Sequence, residues 1–177
     1  DPVEPVTDMA PLIERFDFAH FGRAPARFAD EELAALNQKI VHQLAYATVA
    51  GRLPQGIGPA EWDVIRPNLA TVGEAAAWLP VLSGTIHPLA MDEADRAYLA
   101  LAAELVGEAD FAGDPWHALT TALKERAGRK GKALFLPLRQ ALTGLDHGPD
   151  MAALLPLIGR ERAVERLRRA AEGMSGR

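Results

Sequence analysis

The hydrophobic residues of this chain recur every three to four positions, with polar residues between them. In the segment DEELAALNQKIVHQLAYATVAGRL the apolar positions are Leu33, Leu36, Ile40, Leu44 and Ala47. This spacing places one apolar stripe along a helix, whereas a half-buried strand would alternate apolar and polar residues. No run of five or more residues in the sequence shows that alternation. The pattern therefore predicts an all-α fold.

Capping signals predict where the helices begin and end. Asp92 and Asp114 precede apolar-periodic segments, and an Asp side chain there accepts hydrogen bonds from the free N–H groups of a first helical turn. Pro115 suits the first helical position, and Gly128 is a typical stop. The same reasoning predicts shorter helices over residues 59–65, 72–82, 132–142, 150–157 and 160–171.

A change in composition predicts where the chain divides. The segment VLSGTIHPLAM separates two helical blocks and combines Gly84 with Pro88. Because glycine and proline interrupt helices, this segment predicts a division near residue 86. The expected architecture is a two-part helical bundle, with a first subdomain over residues 1–86 and a second over residues 87–177.

The composition is that of a soluble globular protein. Of the 177 residues, 49% are hydrophobic and 24% are charged. The absence of cysteine excludes a disulfide framework and a thiolate metal site, and it agrees with a reducing cytoplasm. No apolar stretch approaches the roughly 18 residues that span a bilayer. The chain starts DPVEPVTDM without an initiating Met, so we expect a piece of a longer protein, although a trimmed tag would give the same start.

The charge is distributed unevenly along the chain. Residues 1–123 contain 7 Lys and Arg against 18 Asp and Glu, a balance of -11. Residues 124–177 contain 12 Lys and Arg against 6 Asp and Glu, a balance of +6. One explanation of the charged last third is that its helices need solvated faces, which alternating charges as in RERAVERLRR supply. The alternative is that the last third contacts a polyanion, while the rest keeps the chain soluble.

No catalytic constellation is predicted. The five histidines are scattered without the spacing of metal ligands on a helix. The clusters DEE and DEAD stand at helix starts, where capping explains them. No Gly-rich phosphate loop, nucleophile elbow or HExxH motif occurs. The sequence therefore predicts neither a catalytic nor a metal site.

The stretch KALFLPLRQALTGLDHGP places Pro137 and Arg139 in an otherwise apolar helical run. An interior proline is tolerated if the helix begins near it, or if the carbonyl that it frees finds another partner. Gly144 is a predicted helix end, and Gly148-Pro149 is predicted to open the next helix. Arg139 then either forms a structural pair with an acidic residue or presents its guanidinium to a base edge.

Ordered similarity to one family extends over about residues 10–170. The string GRKGKALFLPLRQALTGLDHGPDMAALLPLIGRERAVERL resembles the C-terminal end of bacterial glutamyl-tRNA synthetases, which are class I aminoacyl-tRNA synthetases. FDFAHFGRAPARFADEELAALN resembles the family stretch that leads from the stem-contact region into the anticodon-binding helices, and IRPNLATVGEAAAWL resembles the helix that reads the third anticodon base. The family joins glutamate to tRNA with ATP, yet its HIGH-like and KMSKS-like signatures have no counterpart here. The resemblance therefore implies the non-catalytic anticodon-binding region, with ATP and Mg belonging to a catalytic domain of the same parent chain.

The resemblance also assigns roles to individual positions. Arg139 corresponds to the arginine that contacts the first anticodon base, and the turn after it packs against that base. Residues 66–68 correspond to the segment that meets the third base. The anticodon residues implied in this way are Arg66, Asn68, Arg139, Gly148, Pro149 and Met151.

One position departs from the family pattern. Members that reject glutamine tRNA tend to carry a second arginine where this chain has Asn68, and asparagine cannot form the charged fork to a cytosine. We therefore hypothesise that the parent enzyme tolerates both glutamate and glutamine tRNAs. Phosphate contacts are expected from a basic cluster, with a further contribution from residues 160–169. The cluster consists of Lys124, Arg126, Arg129, Lys130 and Lys132.

The sequence leaves three functions open. The first is tRNA anticodon recognition in the cytoplasm, as the cofactor-free C-terminal part of a glutamate–tRNA ligase. The second is a helical protein-interaction domain whose basic end meets an acidic partner. The third, a complete small enzyme, is disfavoured because no nucleophile, metal set or phosphate loop can be named. Trp62, Trp78 and Trp116 lie on apolar helix faces and are predicted to be core residues, with base stacking as the alternative.

Overall fold

A computed structural model describes residues 4–20, 22, 29–87 and 89–173. Every regular element in these ranges is helical and none is a strand, which confirms the all-α fold class. The chain divides into two compact units, Asp1–Ala76 and Ala77–Arg177. Part of the stretch FDFAHFGRAPARFADEELAALN, namely residues 21 and 23–28, lies outside the described ranges, as does Pro88 of the predicted boundary segment.

The division lies earlier in the chain than residue 86, where the sequence predicts it. Pro80, Val81 and Gly84 belong to the second unit because their carbonyl groups accept hydrogen bonds from Arg166 of that unit. A long-range contact of this kind cannot be predicted from the local sequence pattern of residues 77–86. The segment therefore looks like the end of the first helical block, although it packs with the second.

The first unit is built from short helices. They are α1 (Ala10–Glu14), α2 (Asp30–Val41), α3 (Tyr46–Val49) and α4 (Pro59–Ile65), with 3-10 turns at Phe18–His20, Ala50–Arg52 and Arg66–Asn68. A further 3-10 segment, Val72–Trp78, spans the division between the units. The predicted helix over residues 59–65 is confirmed, whereas the helix predicted over residues 72–82 is mostly 3-10 in form.

The first long apolar stripe does not form a continuous helix. The carbonyl of Leu44 accepts hydrogen bonds from Nε1 of Trp62 at 2.9 Å and from Nη1 of Arg66 at 2.8 Å. These two donors occupy a carbonyl that a continuous helix would use in its own ladder. Ala45 is extended, with φ -68° and ψ 148°, and α3 begins after it. The chain therefore turns between α2 and α3.

The second unit contains the longer helices. They are α5 (Leu79–Leu82), α6 (Glu93–Glu108), α7 (Pro115–Ala127), α8 (Lys132–Thr143), α9 (Met151–Ile158) and α10 (Arg160–Ala171). The predicted caps are confirmed: Asp92 accepts from the backbone N–H of Asp95 at 2.7 Å, and Asp114 accepts from that of His117 at 2.9 Å. Gly128 ends α7 in the left-handed conformation.

The core of the second unit lies largely between α6 and α10, which form its most extensive helix pair. Leu99 and Val106 of α6 are fully buried, as are Ala163 and Leu167 of α10. Small residues on α10 allow close packing, and each buried methylene contributes about 0.8 kcal/mol of transfer free energy. Most of the other positions of α10 are charged, so its narrow apolar face is the side that packs against α6.

Pro137 lies inside α8 and is buried. Proline has no N–H, so the carbonyl of Ala133 loses the donor that position 137 would otherwise supply. Nη1 of Arg129 donates to that carbonyl at 3.3 Å. The freed carbonyl thus has another partner, which is one of the two conditions under which a helix tolerates an interior proline. The helix continues through Pro137 and carries Arg139 one turn before its end.

Candidate nucleic-acid interface

Arg139 lies near the C-terminal end of α8, and its side chain is half-buried. Its Nη1 atom is buried, and within the part of the chain that the structure describes it has no hydrogen-bond partner. Burial lowers the pKa of the Arg139 guanidinium below its ordinary value, and the nearby Asp150 carboxylate opposes that change. Arg139 forms no ion pair with a described residue, so the acidic pairing considered from the sequence is not observed.

Gly148 brings the next turn of the chain against this guanidinium. Its φ is +137°, a value that L side chains rarely adopt. A β-carbon built on Gly148 would lie 2.8 Å from Cη2 of Trp78 and 3.6 Å from Nη1 of Arg139. Glycine is therefore required by both the backbone and the space. Trp78, Arg139 and Gly148 together form what we call the arginine pocket.

The segment after Gly148 anchors the pocket to the core. Pro149 and Met151 are buried, and Met151 opens α9. Asp150 caps that helix, because its carboxylate accepts from the backbone N–H of Ala152 at 3.1 Å. Of the residues predicted for the first anticodon base, the structure therefore brings Arg139 and Gly148 together, while Pro149 and Met151 support the turn from within.

This arrangement suits an acceptor-rich planar ligand. A buried donor left without a partner costs about 1–3 kcal/mol, so an acceptor that reached Nη1 of Arg139 would be bound favourably. A guanidinium presents paired N–H groups that match the acceptor edge of a base, and an indole beside it offers an apolar surface. The pocket contains a fixed cation with donors to spare, and it holds no group that could act as a nucleophile.

The segment predicted for the third anticodon base differs in character. Nη1 of Arg66 donates to the Leu44 carbonyl, and Nη2 forms an ion pair with Asp63 at 3.2 Å. Arg66 is half-buried and engaged within its own unit. Asn68 is exposed at the end of the 3-10 turn. Of these two predicted residues, Asn68 exposes its side chain to solvent, whereas the side chain of Arg66 is bound by Leu44 and Asp63.

The predicted phosphate cluster separates into free and engaged cations. Nη1 of Arg129 pairs with the Asp95 carboxylate, Nη2 donates to the Ala94 carbonyl at 2.8 Å, and the guanidinium lies 4.2 Å from the ring centre of Tyr98. Arg129 is therefore committed to the fold. The other four members of the cluster are exposed around the end of α7 and the start of α8; they are Lys124, Arg126, Lys130 and Lys132.

The three tryptophans do not share one environment. Trp62 is completely buried and donates to the Leu44 carbonyl, as its predicted core role requires. Trp78 and Trp116 are only half-buried. Trp116 lies 6.2 Å from the exposed ring of Phe135. The role of Trp78 beside Arg139 was missed by sequence reasoning, because Trp78 and Gly148 meet across 70 positions of sequence and no local signal joins them.

Arg166 is a second residue whose environment differs from what the sequence pattern predicts. The alternating charges of RERAVERLRR favour a solvated helix face, yet Arg166 is 5% exposed and binds backbone carbonyls. Its position on the buried side of the amphipathic helix, between Ala163 and Ala170, is the signal that could have revealed it. Neither a helix able to cross a membrane nor a cluster of three potential metal ligands occurs in the described ranges.

Comparisons with known proteins relate the chain to one group of enzymes. Residues 84–171 match the sequence family described as an anticodon binding domain. The chain is 62% identical over 167 residues to glutamate–tRNA ligase 2 of Sphingopyxis alaskensis, covering 94% of this chain and 38% of that protein. It is 61% identical over 170 residues to glutamate–tRNA ligase 1 of Rhizorhabdus wittichii, covering 96% and 38%.

The fold is also found in a solved structure. A glutamate tRNA ligase from Elizabethkingia meningosepticum, crystallised in complex with its amino acid, superposes with a TM-score of 0.71 at 20% identity. The match covers 93% of this chain and 36% of that one. At this identity the likeness concerns the fold alone.

The helical fold and the family match together define an anticodon-binding domain over residues 84–171. Over nearly its whole length the chain is similar to one part of glutamate–tRNA ligases, in agreement with the motifs in its sequence. It spans 38% of the length of the curated relatives it matches.

Proposed function

We propose that this chain recognises the anticodon of glutamate tRNA, as the C-terminal part of a cytoplasmic glutamate–tRNA ligase. The observation that carries the proposal is the buried Nη1 of Arg139, which has no hydrogen-bond partner among the described residues. The first anticodon base supplies the missing acceptor. In this proposal its ring lies beside Trp78, and Gly148 allows the turn to approach Trp78 and Arg139 closely, because a β-carbon there would lie 2.8 Å from Cη2 of Trp78.

The basic surface positions the RNA without reading it. Lys124, Arg126, Lys130 and Lys132 are exposed, and contacts of this kind to phosphates weaken as the salt concentration rises. Arg129 contributes to the fold instead, since Asp95 and two backbone carbonyls occupy its donors. In this proposal, four of the five residues predicted to contact phosphates therefore do so, and Arg129 does not.

The third anticodon base is read with little discrimination. Asn68 is neutral and exposed, and Arg66 cannot replace a second arginine without leaving Leu44 and Asp63. This supports tolerance of both glutamate and glutamine tRNAs by the parent enzyme. A steep preference for cytosine over guanine at that position would contradict this part of the proposal.

The chain itself contributes no chemistry to aminoacylation. ATP, Mg²⁺ and glutamate are bound by the catalytic part of the parent enzyme in this proposal. Glutamate-dependent ATP–pyrophosphate exchange by the 177-residue chain alone should therefore be indistinguishable from the background without protein.

The proposal is tested by titrating the chain with glutamate-tRNA anticodon stem-loops at low salt. Two RNAs are used, one with the natural first anticodon base and one abasic at that position. Arg139→Ala is compared with Arg52→Ala, which removes an exposed arginine elsewhere in the chain. Arg139→Ala should weaken binding of the natural loop by about 1–3 kcal/mol, as expected for a guanidinium that reads a base edge.

The controls separate base reading from charge. Arg52→Ala should bind both RNAs as the wild type does, and Arg139→Ala should bind the abasic loop almost as well as the wild type. An equal loss on both RNAs would make Arg139 a phosphate contact and contradict its assigned role. If the wild type bound neither loop, anticodon recognition would be wrong for this chain and an acidic protein partner would be favoured.

A further inference from the structure

Arg166 of α10 is a buried cation held entirely by backbone carbonyls. It is 5% exposed. Its Nη1 donates to the carbonyls of Val81 and Leu142, both at 2.7 Å. Its Nη2 donates to the carbonyls of Pro80 at 2.9 Å and Gly84 at 2.8 Å. Four acceptors on one guanidinium make Arg166 a junction between three parts of the second unit.

Three of these carbonyls belong to the ends of helices, and the fourth, that of Gly84, follows the end of α5. Pro80 and Val81 lie in α5, and Leu142 lies in the last turn of α8. Carbonyls in a last helical turn have no partner within the helix and carry partial negative charge. A planar guanidinium satisfies several of them at once, which a lysine ammonium cannot do with the same geometry. Burial lowers the pKa of Arg166 to about 10, so the group stays charged at neutral pH.

The two helix ends are also the supports of the arginine pocket. α5 follows Trp78 directly, and α8 carries Arg139 one turn before Leu142. Thr143, the last residue of α8, donates its hydroxyl to the backbone carbonyl of Arg139 at 2.7 Å. The distance between the indole and the guanidinium therefore depends on how the ends of α5 and α8 are held together.

We propose that Arg166 is a positioning residue for base recognition: it locks the ends of α5 and α8 so that Trp78 and Arg139 enclose the first anticodon base. This inference rests on the proposed function of the pocket. Arg166 does not touch the RNA, because its donors are occupied by carbonyl groups and its side chain is buried.

The test replaces Arg166 while keeping its charge. Arg166→Lys supplies three donors to four carbonyls, so at least one helix-end carbonyl is released. Gly84→Ala is the milder second variant, because a β-carbon there would lie 2.9 Å from Cα of Pro80 and would shift the Gly84 carbonyl. Val106→Ala is the matched control: it removes buried volume from α6 and leaves the helix-end carbonyls untouched.

The first readout is the ratio of affinities for the natural and the abasic stem-loop. The wild type should show a ratio of roughly 5- to 150-fold, the equivalent of one base-edge contact. Arg166→Lys should bring the ratio close to one while binding to the abasic loop is kept. Gly84→Ala should lower the ratio partly. Val106→Ala should lower the melting temperature and preserve the affinity ratio. If Arg166 had a purely structural role, Arg166→Lys would behave in the same way as Val106→Ala.

The second readout needs no RNA. The indole N–H resonance of Trp78, assigned by its loss in Trp78→Phe, should shift in Arg166→Lys and in Gly84→Ala. The resonances of Trp62 and Trp116 should stay in place and report that the rest of the chain is folded. In Val106→Ala all three resonances should remain near their wild-type positions.

The outcomes separate this inference from the function on which it rests. A wild-type ratio of one contradicts both the pocket and the role of Arg166 in base reading. Suppose that the wild-type ratio is above one, that Arg139→Ala abolishes it and that Arg166→Lys retains it. The positioning role of Arg166 would then be wrong, while the role of the pocket in base recognition would remain supported. An unchanged Trp78 resonance in a folded Arg166→Lys protein overturns the positioning role as well.

Discussion

Arg66 and Arg139 are both predicted from the family resemblance to contact the anticodon, yet their surroundings differ in kind. Arg66 donates to the Leu44 carbonyl and pairs with Asp63, so its own unit satisfies it. Arg139 has a buried Nη1 that no described residue satisfies. A satisfied guanidinium contributes to folding, whereas a buried donor without a partner costs about 1–3 kcal/mol, which a base or another acceptor that binds it would return. The fold of its own unit therefore accounts for Arg66, whereas it leaves a donor of Arg139 free for the base contact that we propose.

The largest effect is expected from closing the arginine pocket with Gly148→Ala. The new methyl group would collide with Trp78 and force a φ of +137° on an alanine. We expect the free energy of unfolding to fall by about 1–2 kcal/mol and stem-loop affinity to fall about tenfold or more. Chemical denaturation and stem-loop titration measure the two effects.

A matched glycine separates the two causes. Gly128 also has a positive φ, +68°, but a β-carbon there would meet no described heavy atom within 4 Å. Gly128→Ala should therefore lower stability and leave affinity unchanged. Equal affinity losses for both variants would mean that backbone strain, and not the pocket, controls binding.

The next effect is a loss of stability in Arg66→Ala. This variant removes the hydrogen bond to Leu44 and the ion pair with Asp63, which is largely exposed. We expect the free energy of unfolding to decrease by about 1–2 kcal/mol, mainly from the charged hydrogen bond, because exposed ion pairs contribute little. Thermal melts beside Arg52→Ala measure it. A base-dependent affinity loss without a change in stability would place Arg66 among the binding residues.

A smaller effect is expected where Asn68 is changed to arginine. Asn68→Arg supplies the cationic fork that this chain lacks at the third anticodon base. We expect a preference for cytosine over guanine of about 1 kcal/mol, the lower end of one bidentate contact. Titration with the two stem-loops tests it, and Asn68→Gln, which adds length without charge, should show no such gain. If the wild type already prefers cytosine strongly, Asn68 is not the determinant.

The smallest effect is expected in the basic cluster. Lys130→Ala should weaken binding to every stem-loop alike and reduce the slope of log K against log salt by roughly 0.7–0.9. Arg129→Ala should leave that slope unchanged and lower stability, because Arg129 binds Asp95 and the Ala133 carbonyl. Identical salt slopes for the wild type and Lys130→Ala would remove Lys130 from the interface.

Local signals predicted much of the fold. Asp92 and Asp114 cap their helices as expected, because capping depends on residues only three positions apart. The helix over residues 160–171 was predicted with its observed bounds. The break between α2 and α3 was not predicted, since it depends on donors from Trp62 and Arg66 that reach Leu44 from a distant helix and turn.

The candidate site was predictable only where the family resemblance supplied it. The residue pattern alone allowed two roles for Arg139, a structural ion pair or a ligand contact, because the charge of a side chain does not reveal its partners. Trp78 and Arg166 were missed for the same reason. Their contacts are with Gly148 and with carbonyls far along the chain, and such pairs emerge only when the helices are packed.

The most direct test of the contrast between the two arginines is denaturant unfolding of the wild type and Arg139→Ala, with and without the glutamate-tRNA anticodon stem-loop. Without RNA, Arg139→Ala should be as stable as the wild type or slightly more stable, because an unsatisfied buried donor is removed. With RNA at about 100 times the wild-type Kd, the wild type should gain about 2.7 kcal/mol and the variant clearly less. A variant that is less stable alone and gains as much from RNA as the wild type would show that Arg139 serves the fold and not the anticodon.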